Sequence, residues 1–345
     1  MESKKKLPII IGFVISAIAL GYFIQGMKWQ QLWIALKDVR LEWIALASLI
    51  LILEFWLRAL RWNILLRPTG IKIPTKTLFS AQVIGVACNT LLPLRAGEIA
   101  KPYIASRHTS APFVKIVATT IMERVFDILG MVFIMLLMLS LATPSSLADS
   151  QSELVYNLQV YGGIFGVFAA LCMAFFFFLV ASKQRSRGVF VRITSIAPTP
   201  IAQKLMEFFD VFVDGLKSST DRTSFWSAGA LSLWMWLNGA IAIYCIFLAF
   251  GMNLPFGAAC FVSVAIALTV ALPQAPGFLG VFQVAMEKTM VLWGQPEGPA
   301  EGFSIVFWAV SFIPITIIGL LALWKEGLTL KGIQDKGENV RNKEA

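Results

Sequence analysis

The runs 7–25, 43–64, 116–142, 158–181, 224–250 and 303–324 are predominantly apolar, and each is long enough to cross a bilayer. A spanning helix needs about 20 such residues, and only a helix satisfies its own backbone hydrogen bonds in hydrocarbon. The chain is therefore expected to fold as an all-α polytopic membrane protein with about six full spans. Composition agrees. Of 345 residues, 57% are hydrophobic and only 14% charged, against about 45–50% and about 25% in a soluble domain. That balance excludes a disordered chain and a water-soluble globule. The segment Met1–Lys6 with 7–25 reads as an uncleaved first helix, because the apolar run is long for a signal peptide and further spans follow. Cys88, Cys172, Cys245 and Cys260 all lie in apolar runs with no CxxC pair, so they read as small hydrophobes.

Two shorter apolar stretches, 78–92 and 256–272, end in Pro/Gly-rich elements and then resume. Their length and interruption suggest re-entrant helical hairpins. Charge placement sets the orientation. Of 29 basic residues, three lie in 1–6, eight in 61–115, seven in 182–222 and five in 325–345, while 143–157 has none. The positive-inside rule then puts both termini in the cytoplasm of a multi-pass protein of the inner (cytoplasmic) cell membrane. The net charge of +9 thus reports orientation, and no nucleic-acid partner is expected. The segment 26–42 runs against the rule, being external yet holding Lys28, Lys37 and Arg40.

Leu92-Pro93-Leu94-Arg95-Ala96-Gly97 and Leu272-Pro273-Gln274-Ala275-Pro276-Gly277 share the spacing LPxxxG, offset by 180 residues from Leu92 to Leu272. The same offset maps the span near 44 onto that near 224, and residue 123 onto the start of the last span. This gives a single membrane domain over 1–345: repeat 1 at about 43–142, a connector at about 143–222, repeat 2 at about 223–324 and a cytoplasmic tail at 325–345. The two repeats face opposite ways, as in many secondary transporters whose site lies at the repeat interface. Within the connector, the apolar residues of 201–217 recur at helical spacing between charges, which marks an amphipathic interfacial helix.

A charge at the bilayer centre costs about 2.5–3.5 kcal/mol on insertion scales, so it is functional or paired. Glu54, Arg58 and Arg61 share one helix face, where Arg58 can pair with Glu54 and Arg61 can snorkel to the interface. At the first hairpin tip, Arg95, Glu98 and Lys101 follow Asn89 and Pro93. An arginine beside broken backbone suits a phosphate, because its fork bonds two oxygens at once; the alternative is that Arg95 and Glu98 only staple the hairpin. Glu123 and Asp127 lie one turn apart with Arg124 between, and need a cation (Arg95, Arg58 or Lys101) or a shared proton. The second tip, Pro273, Pro276, Gly277 and Gly280, carries no charge. Gln283 is its nearest polar side chain, and Glu287 and Lys288 read as solvated near the outer surface. The single histidine, His108, reads as exposed or interfacial. It leaves no basis for a histidine metal site or histidine acid–base chemistry, and no metal or cofactor is expected.

These residues resemble a known family. Asn89 with Leu-Leu-Pro-x-Arg95-x-Gly97-Glu98, then Glu123-Arg124-x-x-Asp127, then Pro273-x-x-Pro276-Gly277-x-x-Gly280 looks like the lysylphosphatidylglycerol synthase transmembrane, or flippase-like, family. The run Arg58-Ala-Leu-Arg-Trp62 also fits, and the resemblance covers roughly 10–325. It implies an integral membrane protein that moves, or helps move, a phospholipid or lipid-linked sugar, with Arg95, Glu98, Glu123, Arg124 and Asp127 as the polar site. Two departures matter. About 20 hydrophilic residues follow Trp324, so aminoacyl transfer to lipid is not expected. Gln283 also stands where relatives often carry a glutamate.

The expected function is a flippase-like transporter of an anionic phospholipid or a polyprenyl or lipid-linked sugar, and not an enzyme. Arg95, Arg58, Arg124, Lys101 and Asn89 would hold the headgroup phosphate. Glu98, Glu123, Asp127 and Glu54 would balance charge or carry a coupling proton. The alternatives are a membrane-embedded lipid-modifying enzyme, or a scaffold subunit that docks a cell-envelope biosynthetic enzyme.

Overall fold

The computed structural model describes residues 20–92, 95–141, 183–194, 199–218, 221–271 and 275–330, with Val14 and Ile18 besides. The expected spans 158–181 and most of 7–25, the loop 143–157, and Pro93 and Pro273 lie outside the described residues. Every described element is helical: α1 (Trp29–Lys37), α2 (Leu41–Leu66), α3 (Thr75–Leu91), α4 (Gly97–Ser106), α5 (Phe113–Leu141), α6 (Lys183–Thr194), α7 (Thr199–Ser218), α8 (Arg222–Ala249), α9 (Phe256–Ala271), α10 (Val281–Leu292) and α11 (Glu297–Lys325).

Local chemistry sets the ends. Asp221 accepts a hydrogen bond from Ser224 N at 3.1 Å and caps the start of α8. Pro74 and Pro296 precede α3 and α11, where a missing N–H costs nothing. Among the described residues, Leu41–Thr69, Arg222–Ala249 and Glu297–Lys325 are long and apolar enough to cross a membrane. The expected span at 116–142 is a 29-residue helix, α5, but it carries Glu123, Arg124 and Asp127 in mid-course. The chain is thus an integral membrane protein with spanning helices.

The two halves repeat one helix order. A long helix, two short ones and a second long helix begin at Leu41, Thr75, Gly97 and Phe113, and again at Arg222, Phe256, Val281 and Glu297. The contacts are reciprocal. The leading helices α2 and α8 pack on each other, α3 packs on α11, and its counterpart α9 packs on α5. An exchange of this kind is the contact pattern that a two-fold relation between halves would give. The leading helices run antiparallel: Arg40 N donates to Ala249 O at 3.0 Å, Asn238 Nδ2 to Ile50 O at 3.1 Å, and Arg61 Nη1 to Ser232 Oγ at 2.9 Å. Numbers rise along α2 as they fall along α8.

The segment 26–42, expected as an external loop, contains α1, whose Trp29 and Trp33 are each 63% exposed, as interfacial tryptophans are. Its cations have folded partners. Lys28 Nζ pairs with Glu297, and the Lys28 backbone N–H donates to Glu301 Oε2 at 3.2 Å. The hydrogen bond and charge of Glu297 raise the Lys28 pKa above the usual lysine value. Arg40 Nη2 donates at 2.6 Å to the carbonyl of Leu248 at the end of α8, which also accepts from Gly251 N at 3.2 Å.

Candidate functional site

The short helices of each half stand as a pair. In the first half, α3 and α4 cross where glycine is required. A Cβ on Gly97 would lie 1.8 Å from Gly85 O. Asn89 Oδ1 accepts from Gly97 N at 2.8 Å and fixes the turn between the helices. In the second half, Gly277 turns at φ +76, and its carbonyl accepts from Trp308 Nε1 on α11 at 2.7 Å. Gln283 Oε1 accepts from Gly280 N at 2.7 Å and caps α10. Pro276 opens the short turn Pro276–Phe278.

The two turns meet. A Cβ on Gly277 would lie 3.7 Å from Thr90 O at the end of α3. Arg95 Nη1 donates to Ala271 O, the last carbonyl of α9, at 3.4 Å. Arg95 holds φ at +54, a left-handed conformation unusual for a side-chain-bearing residue.

Below this junction is a buried layer of charge. Arg61 is 1% exposed, and its Nη1 lies 2.8 Å from Asp127 Oδ1. Its Nη2 lies 3.8 Å from Glu123 Oε1. Gln82 Nε2 donates to Glu123 Oε1 at 3.1 Å, and Lys101 Nζ binds Glu123 Oε2. Lys101 also stands 4.6 Å over the Trp62 ring, whose Nε1 donates to Thr119 Oγ1 at 2.9 Å. Buried charges require partners of this kind, because desolvation otherwise costs several kcal/mol per ion.

Above it is an open layer. Arg124 Nη2 donates to both oxygens of Glu98, at 2.9 and 2.8 Å, and its Nη1 reaches Asp127 Oδ2 at 3.3 Å. Arg95 Nη2 reaches Glu98 Oε1 at 3.4 Å. The side chains of Arg124, Arg95 and Glu98 are 53%, 41% and 40% exposed, against 3% for Glu123. Beside this layer, Arg58 Nε donates to Glu54 Oε1 at 3.0 Å.

The sequence reading thus converges on one region, with corrections. Arg61 does not snorkel. α5 and α8 cover it: Asp127 pairs with its charge, and Ser232 Oγ accepts its hydrogen bond. Arg61, Gln82, Trp62 and Ser232 were not among the site residues expected from sequence. The signals for Arg61 are its place seven residues after Glu54 and its position in the run Arg58-Ala-Leu-Arg-Trp62. The cations nearest Glu123 and Asp127 are Lys101 and Arg61, while Arg95 reaches Glu98. Lys101 and Asn89 have their polar ends engaged inside the protein. Glu287 is not solvated: it is 7% exposed and accepts from Lys288 Nζ at 2.8 Å. His108 is partly exposed, with Nε2 3.2 Å from Glu326 Oε2.

Residues 9–319 match the lysylphosphatidylglycerol synthase TM region. A UPF0104 membrane protein of Methanothermobacter thermautotrophicus is 25% identical over 290 residues, covering 81% of this chain and 81% of the relative. The UPF0104 membrane protein PH1989 of Pyrococcus horikoshii is 24% identical, over 93% of this chain and 97% of the relative. Glycosyltransferase AglD of Haloferax volcanii is 22% identical, over 99% of this chain and 58% of that protein. No solved structure matches. The AglD match corrects the expectation that the chain is not an enzyme: a relative that aligns with nearly the whole of this chain carries a glycosyltransferase name.

Proposed function

The chain belongs to the lysylphosphatidylglycerol synthase transmembrane family, and from that premise we propose that it moves an anionic, lipid-linked headgroup across the cytoplasmic membrane. One observation carries this reading. At the junction of the two turns, the exposed guanidiniums of Arg95 and Arg124 share the Glu98 carboxylate, while Asp127, which Arg124 also reaches, is held from the buried side by Arg61. Two arginine forks with one carboxylate between them form a receptor for one more anion.

In this reading the α3–α4 and α9–α10 pairs are re-entrant hairpins whose tips meet inside the bilayer. The antiparallel leading helices support an inverted-topology repeat, with the site at its interface. The headgroup phosphate lies against Arg95 and Arg124, with the Arg58–Glu54 pair beside it. The buried Arg61, Lys101, Glu123 and Asp127 form a rigid floor, and the acyl or prenyl chain stays in lipid. Both termini face the cytoplasm, and a cell-envelope enzyme would supply or consume the lipid.

Mass spectrometry of co-purifying lipids tests the reading. The wild-type protein should retain an anionic lipid that an Arg95→Ala/Arg124→Gln variant releases. Equal retention by a folded double variant would remove the assignment. The glycosyltransferase name of AglD favours a second reading, in which the same site holds a lipid-linked sugar for glycosyl transfer. Appearance of a glycosylated lipid product on adding a nucleotide sugar would select it.

A further inference from the structure

We propose that the Glu98 carboxylate occupies the position of the substrate phosphate, as an internal stand-in that the incoming headgroup displaces. This rests on the reading of Arg95 and Arg124 as the anion receptor.

The geometry is that of a bound ligand. Arg124 Nη2 donates to both Glu98 oxygens at 2.9 and 2.8 Å with its Nη1 turned to Asp127, while Arg95 Nη2 approaches Glu98 Oε1 at 3.4 Å. A phosphate presents the same two-oxygen edge to a guanidinium, so phosphate and carboxylate compete for one place. The deeper cations are engaged otherwise. Arg61 is held by Asp127 and Glu123, Lys101 by Glu123, and Arg58 by Glu54. Across the cluster, the cations Arg58, Arg61, Arg95, Lys101 and Arg124 face the carboxylates Glu54, Glu98, Glu123 and Asp127. One positive charge is left over, and it falls in the exposed layer. A ligand with a single negative charge, the phosphodiester of a lipid headgroup, balances it.

The displacement proposed is a rotation of the Glu98 side chain. Glu98 lies in the first turn of α4, and the Asn89 bond to Gly97 N fixes the turn before it. The side chain is 40% exposed, so rotation takes the carboxylate into the open side of the site. Glu98 then shields two arginines from each other and from unselected anions while the site is empty. It also offsets part of the binding energy, which keeps the complex from trapping its cargo.

The test is calorimetric titration of the full-length protein in neutral detergent with two probes, short-chain phosphatidylglycerol and inorganic phosphate. Glu98→Gln and Glu98→Ala should each bind the lipid probe about tenfold more tightly than wild type, the size expected when a charge-assisted competitor is removed at a partly exposed site. Tightening for both probes identifies the phosphate group itself as what is recognised. Tightening for the lipid alone identifies a lipid headgroup. Unchanged or weaker lipid binding in both Glu98 variants overturns the displacement. Arg124→Gln separates the two levels. Loss of binding there, without tightening in the Glu98 variants, overturns only the stand-in role. Wild-type affinity in Arg124→Gln overturns the receptor itself.

Discussion

Arg61 Nη1 lies 2.8 Å from Asp127 Oδ1, and the two side chains are 1% and 17% exposed. Removing one partner of a buried pair leaves the other charge uncompensated, which costs about 3–5 kcal/mol. Arg61→Leu should therefore sharply lower the apparent melting temperature in detergent. Arg61→Leu/Asp127→Leu should recover part of the loss, because it removes both charges. If the double variant is less stable by the sum of the two single losses, the pair is not the coupled unit described.

Gly97 is fixed by close approach. A Cβ there would lie 1.8 Å from Gly85 O and 2.6 Å from Asn89 Oδ1. Gly97→Ala must push α3 from α4, and overpacking of this kind costs about 1–3 kcal/mol or more. Gly188 on α6 has nothing within 4 Å of where a Cβ would lie, so Gly188→Ala should be neutral or slightly stabilising. Thermal unfolding followed by intrinsic fluorescence separates the two, and similar behaviour of both variants would refute the tight crossing.

Arg95 adopts φ +54, where a non-glycine residue is strained by about 1–2 kcal/mol. Arg95→Gly should therefore retain or raise thermal stability while abolishing headgroup transport. A large loss of stability would instead identify Arg95 as a staple of the hairpin through Glu98 and Ala271. The structure holds both geometries at once, and only this substitution separates them.

Gln283 is 4% exposed, and it is the side-chain acceptor for Gly280 N at the start of α10. Gln283→Leu should cost about 1–2 kcal/mol, as loss of a helix cap with a buried donor does. Gln283→Glu keeps an acceptor oxygen at the positive end of the helix and should cost less. Denaturation midpoints in the reverse order would contradict the capping role.

Much of this architecture is legible in the sequence, because local patterns dictate it. The apolar runs at 43–64 and 224–250 correspond to α2 and α8 nearly to their ends. The charges at 95, 98, 123, 124 and 127 converge because Arg95 and Glu98 lie at the turn before α4, while Glu123 and Asp127 lie one helical turn apart on α5 with Arg124 on the adjoining, more exposed side. What escaped reading depends on partners far along the chain. Arg61 lies near the end of an apolar run, where an arginine ordinarily reaches water. Its burial follows from Ser232, which is 171 positions away. Gln82 sits in an apolar hairpin helix, and only the arrival of α5 gives it Glu123 as an acceptor. The fold of 26–42 into α1 depends on Glu297 and Glu301, which no local window around Lys28 contains.

The most direct measurement is the rate at which a fluorescent phosphatidylglycerol changes leaflets in proteoliposomes, read by quenching from outside. The wild-type protein should accelerate it, and Arg124→Gln should lower the protein-dependent rate at least tenfold, as expected when a charge-assisted bidentate contact is lost, with insertion and melting temperature retained. A wild-type rate in a folded Arg124→Gln protein would contradict the arginine pair as the headgroup site.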